Sequence, residues 1–166
     1  MTPAVKSIKN AAVYYKLHKY DHTPSNDQYG REAVEKLKIS AERMFKTLVV
    51  EVNKTKLAMA VIPVSMLLDL KSAATAFNVK KVKLAEEKDA MRATGYVIGG
   101  ISPIGQKKKL VTIIDVSALN HETIYVSAGR RGLDIELDPG DLKVLTNGIF
   151  AKIGKPVTTQ RLCPLF

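Results

Sequence analysis

The spacing of apolar residues changes several times along the chain, and each change predicts a different element. Residues 13–20, 47–52 and 57–62 are rich in β-branched and aromatic side chains, which is typical of strands. The polar segment Asn-Lys-Thr-Lys at residues 53–56 separates the last two runs and predicts a hairpin. Across residues 65–77 the apolar positions recur at helical spacing, which predicts a helix.

The other segments alternate between helical and extended patterns in the same way. Thr2-Pro3 combines a capping side chain with a proline suited to the first helical turn, and predicts a helix that ends near Asn10. Neither an internal repeat nor a linker interrupts the elements, so we expect one mixed α/β domain. Further helices are predicted at residues 32–37, 41–46, 86–93 and 139–145, and further strands at residues 82–85, 110–115, 123–127 and 133–137.

Length and composition suit a globular protein with its own core. The chain has 166 residues, of which 46% are hydrophobic and 25% charged. No apolar run approaches the roughly 20 residues that a membrane helix needs, and no signal-peptide stretch follows Met1. The single cysteine, Cys163, cannot form an intramolecular disulfide. We therefore expect a cytoplasmic protein without a membrane partner.

The net charge of +10 changes this picture, because an excess of that size on a small domain favours a polyanionic partner over a merely solvated surface. The cations also cluster, at residues 80–83, 107–109 and 130–131. Nucleic acid or a phosphorylated ligand is therefore the expected partner. Aromatic residues are only 6% of the chain and tryptophan is absent, which argues against a stacking platform for single strands.

The stretch GGISPIGQKKKL, residues 99–110, places glycines and a proline directly before three lysines. Gly100 and Gly105 fit the outer glycines of a phosphate loop, but Gln106-Lys107 follows where such a loop needs lysine and a hydroxyl residue. We therefore reject a nucleoside triphosphatase. Two interpretations stay open, a plain turn and a bare loop whose backbone N–H groups line a small cavity and face a carbonyl or oxyanion.

Metal ligands and protein nucleophiles are poorly supported. His18 and His22 are four residues apart, but in the predicted strand that spacing separates them by about 13 Å. The third histidine, His121, has no second ligand motif beside it, and Cys163 has no histidine near it in sequence. We expect neither a metal nor another cofactor.

Three polar residues have settings that suggest a binding site. Lys46 lies among apolar residues where a predicted helix meets a buried strand, as either a snorkelling side chain or a positioned ammonium group that grips a phosphate or a carbonyl. Ser127 and Asp134 flank a glycine-containing turn between two strands. They could project into one cavity, or could serve only turn and cap chemistry.

Three longer segments carry a further signal: FKTLVV at residues 45–50, TGYVIGGISPIGQKK at 94–108 and YVSAGRRGLDIEL at 125–137. Together they resemble the YbaK family of aminoacyl-tRNA deacylases, relatives of the editing domain of bacterial prolyl-tRNA synthetase. The resemblance implies a single mixed α/β domain over residues 1–153, with a central, partly barrel-like β-sheet surrounded by helices, and a C-terminal tail at residues 154–166. The similarity is greatest to the branch that deacylates cysteinyl-tRNA(Pro).

The resemblance also implies roles for individual residues. The family's central lysine falls on Lys46, and its pocket loop begins at Gly99 and Gly100, so these three are the expected catalytic positions. The residues expected to bind the substrate are Tyr20, Thr47, Ile101, Ser102, Pro103, Ser127 and Asp134, and those expected to contact tRNA are Lys107, Lys108, Lys109, Arg130 and Arg131.

The implied function is trans-editing, in which cysteine wrongly attached to tRNA(Pro) is removed, with Cys-tRNA(Cys) as a further substrate. The aminoacylation site of a synthetase discriminates cysteine from proline by only about 1–3 kcal/mol of binding free energy, so a second, editing site is useful. In this branch the substrate's own thiol attacks the ester, which suits a chain without a convincing nucleophile. Two alternatives stay open, a water-dependent deacylase of alanyl-tRNA(Pro) and a non-catalytic tRNA-binding module. Prolyl-tRNA synthetase is the expected protein partner.

Overall fold

The structure, a computed structural model, describes residues 1–157. Within that range the chain contains short helices, strands and a 3₁₀ helix at Val116–Asn120. The helices are α1 (Pro3–Asn10), α2 (Tyr29–Leu37), α3 (Leu70–Phe77), α4 (Glu87–Thr94) and α5 (Pro139–Thr146). The strands are β1 (Tyr15–Lys19), β2 (Phe45–Val52), β3 (Lys56–Pro63), β4 (Met66–Leu68), β5 (Val82–Leu84), β6 (Val111–Asp115), β7 (Ile124–Arg130), β8 (Leu133–Leu137), β9 (Ile149–Ala151) and β10 (Gly154–Pro156).

The strands form three sheets. The largest has five strands in the order β5-β2-β3-β6-β9, and a second has three in the order β1-β8-β7. In the larger sheet β2 and β3 are antiparallel, whereas β3, β6 and β9 are parallel, so the predicted mixed α/β domain is confirmed. The described strands do not close into a barrel, because the five-stranded sheet ends in two three-residue strands, each paired on one side only.

The main core lies between the two larger sheets. Phe45, Val49 and Ile114 from the five-stranded sheet pack with Val126 and Ile135 from the three-stranded sheet, and α1 covers one side. A second cluster lies on the other face of the five-stranded sheet, beneath α3. Since β3 is buried on both faces, its sequence is continuously apolar rather than alternating.

Three of the described α-helices, α1, α3 and α5, begin where the sequence supplies a capping side chain. Thr2 Oγ1 accepts a hydrogen bond from the N–H of Val5 at 3.2 Å, and Pro3 occupies the first turn of α1. Asp138 accepts from the N–H groups of Gly140 and Asp141 at the start of α5. The predicted helices near residues 3–10 and 139–145, and the hairpin of β2 and β3, are confirmed.

Two predicted helices are wrong in part or in whole. Residues 41–43 form turns, Met44 forms an isolated bridge with Tyr125, and Phe45 begins β2 directly opposite Pro63 of β3, so no helix covers residues 41–46. Within residues 65–77 the first part is β4, and α3 starts only after Asp69, whose carboxylate accepts from the N–H groups of Lys71 and Ser72. Residues 154–156, which open the predicted tail, form β10 and pair with β4, while Cys163 lies outside the described residues.

Candidate active site

A cavity of about 470 Å³ lies beside the first half of β2. There β2 is exposed on one edge, because β5 pairs only with residues 50–52. The walls come from α2, the end of β5, the start of α4, the loop after α4 and the β7–β8 pair. Among the residues expected from sequence, the structure brings seven to this cavity: Tyr20, Lys46, Thr47, Gly99, Ile101, Ser127 and Asp134.

Lys46 contributes a cation to the cavity without a carboxylate beside it. Its side chain is partly buried, and loss of hydration lowers the pKa of its ammonium group, as does the positive charge of Arg31. Within the described residues, Lys46 forms no ion pair. An anionic ligand would therefore stabilise the charged form of this lysine.

Asp134 contributes a carboxyl group whose charge is equally uncompensated. The residue is only 3% exposed, and its Oδ2 atom has no hydrogen-bond partner among the described residues. Burial raises the pKa of this carboxyl from 3.8 to about 7. Asp134 lies directly opposite Ser127 in the β7–β8 ladder, so both side chains point to the same face.

Two hydroxyl groups complete the polar part of the cavity wall. The buried Oγ1 of Thr47 has no hydrogen-bond partner among residues 1–157. Burial raises the pKa of the Tyr20 phenol to about 12, and the negative charge of Asp134 adds to that shift, so this phenol stays protonated near neutral pH. Ser127 Oγ, by contrast, already accepts a hydrogen bond from the N–H of Gly129 at 3.2 Å.

The glycine loop approaches the cavity through one of its two expected glycines. Gly99 lines the wall with φ at +86°, and the N–H of Gly100 donates to the carbonyl oxygen of Val97 at 2.9 Å, which closes a turn. A positive φ at the third position is typical of a type II turn and favours glycine. The N–H of Gly100 is therefore already used inside the loop.

The space beside both glycines is occupied by protein. A Cβ atom on Gly99 would lie 2.6 Å from the ring of Tyr29, and one on Gly100 would lie 2.8 Å from the Cα atom of Arg130. The glycines are thus required for close packing of the loop against α2 and the end of β7.

Two residues expected to bind the substrate do not line the cavity. Ser102 is fully buried, and its Oγ accepts a hydrogen bond from the N–H of Ile104 at 3.2 Å. The carbonyl oxygen of Pro103 accepts from the side-chain amide of Gln106. These contacts shape the turn that follows the cavity wall.

The expected tRNA contacts lie in two places. Lys107, Lys108 and Lys109 are exposed after α4, and the first two donate their backbone N–H groups to the carbonyl oxygens of Thr94 and Ala93. Arg130 and Arg131 are exposed at the β7–β8 turn, beside the cavity loop. The guanidinium of Arg131 donates to the carbonyl oxygen of Ile98, so this side chain is engaged within the protein.

Tyr29 is a wall residue that no motif in the sequence singles out. Its ring packs against Gly99, and the central carbon of the Arg131 guanidinium lies over the ring, 4.7 Å from the ring centroid. Both partners are far from Tyr29 in sequence, and no motif surrounds it. Only the presence of a bare glycine, which leaves room for a ring, could have hinted at such a neighbour.

Two of the three histidines contact glutamates at separate places in the fold. His18 Nε2 lies 2.8 Å from Glu136, and His22 Nδ1 lies 2.6 Å from the buried Glu32. Over residues 1–157 no three histidine, cysteine or acidic side chains cluster closely enough to hold a metal ion. The same part of the chain contains no helix with the length and apolar character needed to cross a membrane.

Comparison of the sequence with known proteins identifies a family. The sequence model of the family described as “Aminoacyl-tRNA editing domain” matches residues 24–145. A protein of Enterococcus faecalis named “Putative Cys-tRNA(Pro)/Cys-tRNA(Cys) deacylase EbsC” is 44% identical over 153 residues, which are 92% of this chain and 92% of that protein.

Solved structures share the fold. “Hypothetical protein APE2540” superposes with a TM-score of 0.83 and 25% identity, over 93% of this chain and 100% of the other. A protein described as “a putative trans-editing enzyme for prolyl tRNA synthetase” superposes with a TM-score of 0.77 over 93% of this chain and 99% of the other. The second pair is 19% identical, which shows a common fold alone.

Proposed function

Because the chain belongs to the aminoacyl-tRNA editing domain family, we propose that it is a deacylase that removes cysteine from mischarged tRNA(Pro). The printed name of the Enterococcus relative supports cysteinyl-tRNA as the substrate class, and the two chains match over nearly their whole lengths. Cys-tRNA(Cys), which that name also contains, is the second substrate to test.

One observation carries the proposal: a single small cavity contains an uncompensated cation, Lys46, and an uncompensated carboxyl group, Asp134. The aminoacylated end of a tRNA has the complementary charges, an α-ammonium group and, one nucleoside away, a phosphodiester. In this account Asp134 accepts the α-ammonium group and Lys46 binds the phosphate of the terminal adenosine. Each ligand charge would then compensate, by electrostatic attraction, for the hydration that burial removed.

The chemical step needs no protein nucleophile. The sulfur of the substrate cysteine attacks its own ester carbonyl, a carbon–sulfur bond forms, and the carbon–oxygen bond to the ribose breaks. The thiol proton ends on the ribose hydroxyl that leaves with the tRNA, and the product is a four-membered cyclic thioester that water opens to cysteine. The protein positions the reacting groups and stabilises the developing oxyanion, and each of these effects is by itself a large contribution to the rate of an enzymatic reaction.

The donors available for that oxyanion are neutral groups of the wall. The phenol of Tyr20 and the hydroxyl of Thr47 both line the cavity, and Gly99 brings backbone to the same wall. Gly100 does not serve this purpose in our proposal, since its N–H bonds the Val97 carbonyl. A cavity of this size contacts only the aminoacyl end, so tRNA identity would come from a partner, and prolyl-tRNA synthetase is the partner that we expect.

The test is incubation of the protein with cysteinyl-, alanyl- and prolyl-tRNA(Pro), with the Lys46→Ala variant as the matched control. We expect rapid loss of cysteine, little loss of alanine or proline, and no activity in the variant. Preferential loss of alanine would favour the water-dependent alternative. Binding of all three tRNAs with every ester left intact would show a non-catalytic tRNA-binding module.

A further inference from the structure

Arg131 makes an unusual set of contacts for an exposed residue of a turn. Its Nε and one terminal nitrogen both donate to the carbonyl oxygen of Ile98, at 3.0 and 2.7 Å. The face of the same guanidinium covers the ring of Tyr29, 4.7 Å from its centroid. A guanidinium bound along its edge and across its face is fixed in position.

Tyr29 is itself held firmly, so that it can act as a support. It is the first residue of α2, and three residues later Glu32 is buried. The Glu32 carboxylate lies 2.6 Å from His22 Nδ1 and accepts from the N–H of Thr23 at 2.9 Å. The Tyr29 ring also packs against Gly99, where a Cβ atom would lie 2.6 Å from the ring.

The atom that Arg131 binds controls the direction of a neighbouring donor. The carbonyl of Ile98 and the N–H of Gly99 belong to one peptide unit, and in a planar trans peptide they point in opposite directions. This unit is also the central peptide of the Val97–Gly100 turn. Type I and type II turns differ mainly by a flip of that peptide, and the positive φ of Gly99 is that of type II.

We propose that Arg131 is a positioning residue: by binding the Ile98 carbonyl, it keeps the Gly99 N–H directed away from itself and toward the substrate ester. The proposal rests on the deacylase function proposed above, and it names Arg131 as the side chain that orients the Gly99 N–H in that site. Arg130, next in the chain and also exposed, is the tRNA contact of the pair. Loss of Arg131 lets the central peptide flip, whereas loss of Arg130 removes only a surface cation.

Arg131→Ala and Arg130→Ala form a matched pair for the test, since both remove one exposed arginine from the same turn. For each we would measure the salt dependence of tRNA binding and the single-turnover rate of cysteinyl-tRNA(Pro) cleavage at saturating enzyme. Arg131→Ala should slow cleavage by about 10²-fold, as expected for loss of one oxyanion donor, with an unchanged salt slope. Arg130→Ala should weaken tRNA binding and lower the salt slope by about one unit, because it loses one phosphate contact, so its defect should appear at subsaturating enzyme.

Chemical rescue separates positioning from a folding defect. Millimolar guanidinium should restore part of the rate of Arg131→Ala and leave Arg130→Ala unchanged, while Arg131→Lys, which cannot donate two bonds from a planar fork, should stay slow. The proposal is overturned if Arg131→Ala keeps the wild-type rate at saturation and loses a unit of salt slope.

A readout independent of catalysis distinguishes failure of this proposal from failure of the deacylase function. The amide resonance of Gly99 in an NMR spectrum should shift in Arg131→Ala and stay in place in Arg130→Ala. An inactive wild type with that shift would reject the deacylase function and keep the positioning role. An unshifted Gly99 amide in Arg131→Ala would reject the positioning role whatever the activity.

Discussion

Replacement of Asp134 by asparagine should make the protein more stable at pH 8 and at the same time inactive. The carboxyl is 3% exposed, and burial raises its pKa from 3.8 to about 7. Since the folded state binds this proton more tightly than the unfolded chain does, the stability contributed by this group falls as the pH rises from about 4 to about 7. Asparagine has a similar shape and no charge, so the variant should lack this pH-dependent loss.

The size of the effect follows from the shift. One pKa unit corresponds to about 1.4 kcal/mol, so a shift of about 3 units costs the folded state about 4 kcal/mol once both states are ionised. Between pH 5 and pH 8, where the unfolded carboxyl is already mostly ionised, the wild type should lose about 3 kcal/mol relative to the variant. In the proposed function this cost has a use, because an ionised Asp134 is the form that would bind the α-ammonium group of the substrate.

Urea denaturation at pH 5 and pH 8 measures the difference directly, with Asp115→Asn as the control. Asp115 is also 3% exposed. Burial alone would raise its pKa, but hydrogen bonds from Ser117, Ile153 and Gly154 lower it overall. This group therefore contributes stability that is lost as the pH falls through its lowered pKa, and Asp115→Asn should destabilise the protein at pH 8. Parallel stability curves for wild type and Asp134→Asn, or a destabilised Asp134→Asn at pH 8, would refute the reasoning.

Three further predictions concern the cations and the cysteine. Lys46→Ala should nearly abolish deacylation with a normal melting curve, because the substrate phosphate loses its cation; wild-type turnover in this variant would contradict the assignment. Charge reversal of Lys107, Lys108 and Lys109 should weaken tRNA binding and lower its salt slope by about one unit for each lost phosphate contact, and an unchanged slope would show a merely solvated surface. Cys163→Ala should leave the deacylation rate unchanged, since Cys163 lies beyond the matched family domain, and a lost activity would implicate this thiol.

Elements with strong local signals could be predicted from the sequence, and those decided by distant partners could not. Thr2-Pro3 marks the start of α1 by itself. Residues 41–46 have good helix formers, but pairing of Phe45 and Lys46 with β3 overrides that local preference. The three-residue strands β9 and β10 are too short for a periodic pattern and exist through their pairing with β6 and β4.

The candidate site follows the same rule. Ser127 and Asp134 flank one turn, so their shared wall could be anticipated from strand pairing. The engagement of the Gly100 N–H depends on the type of turn, and the enclosure of Ser102 depends on packing, neither of which the loop sequence specifies. The cluster of cations predicts that Arg131 contacts tRNA, whereas its contacts with Ile98 and Tyr29 join segments more than 30 residues away and leave no local pattern.

The most direct test of the account compares cysteinyl- and seryl-tRNA(Pro) in single turnovers at saturating protein. Serine is nearly isosteric with cysteine, so binding should change little, while its hydroxyl is a much poorer nucleophile than a thiol. We predict rapid cleavage of the cysteinyl ester, release of a cyclic thioester that precedes free cysteine, and severely slowed cleavage of the seryl ester. Comparable rates for the two esters would contradict the account and show that water or a protein group makes the attack.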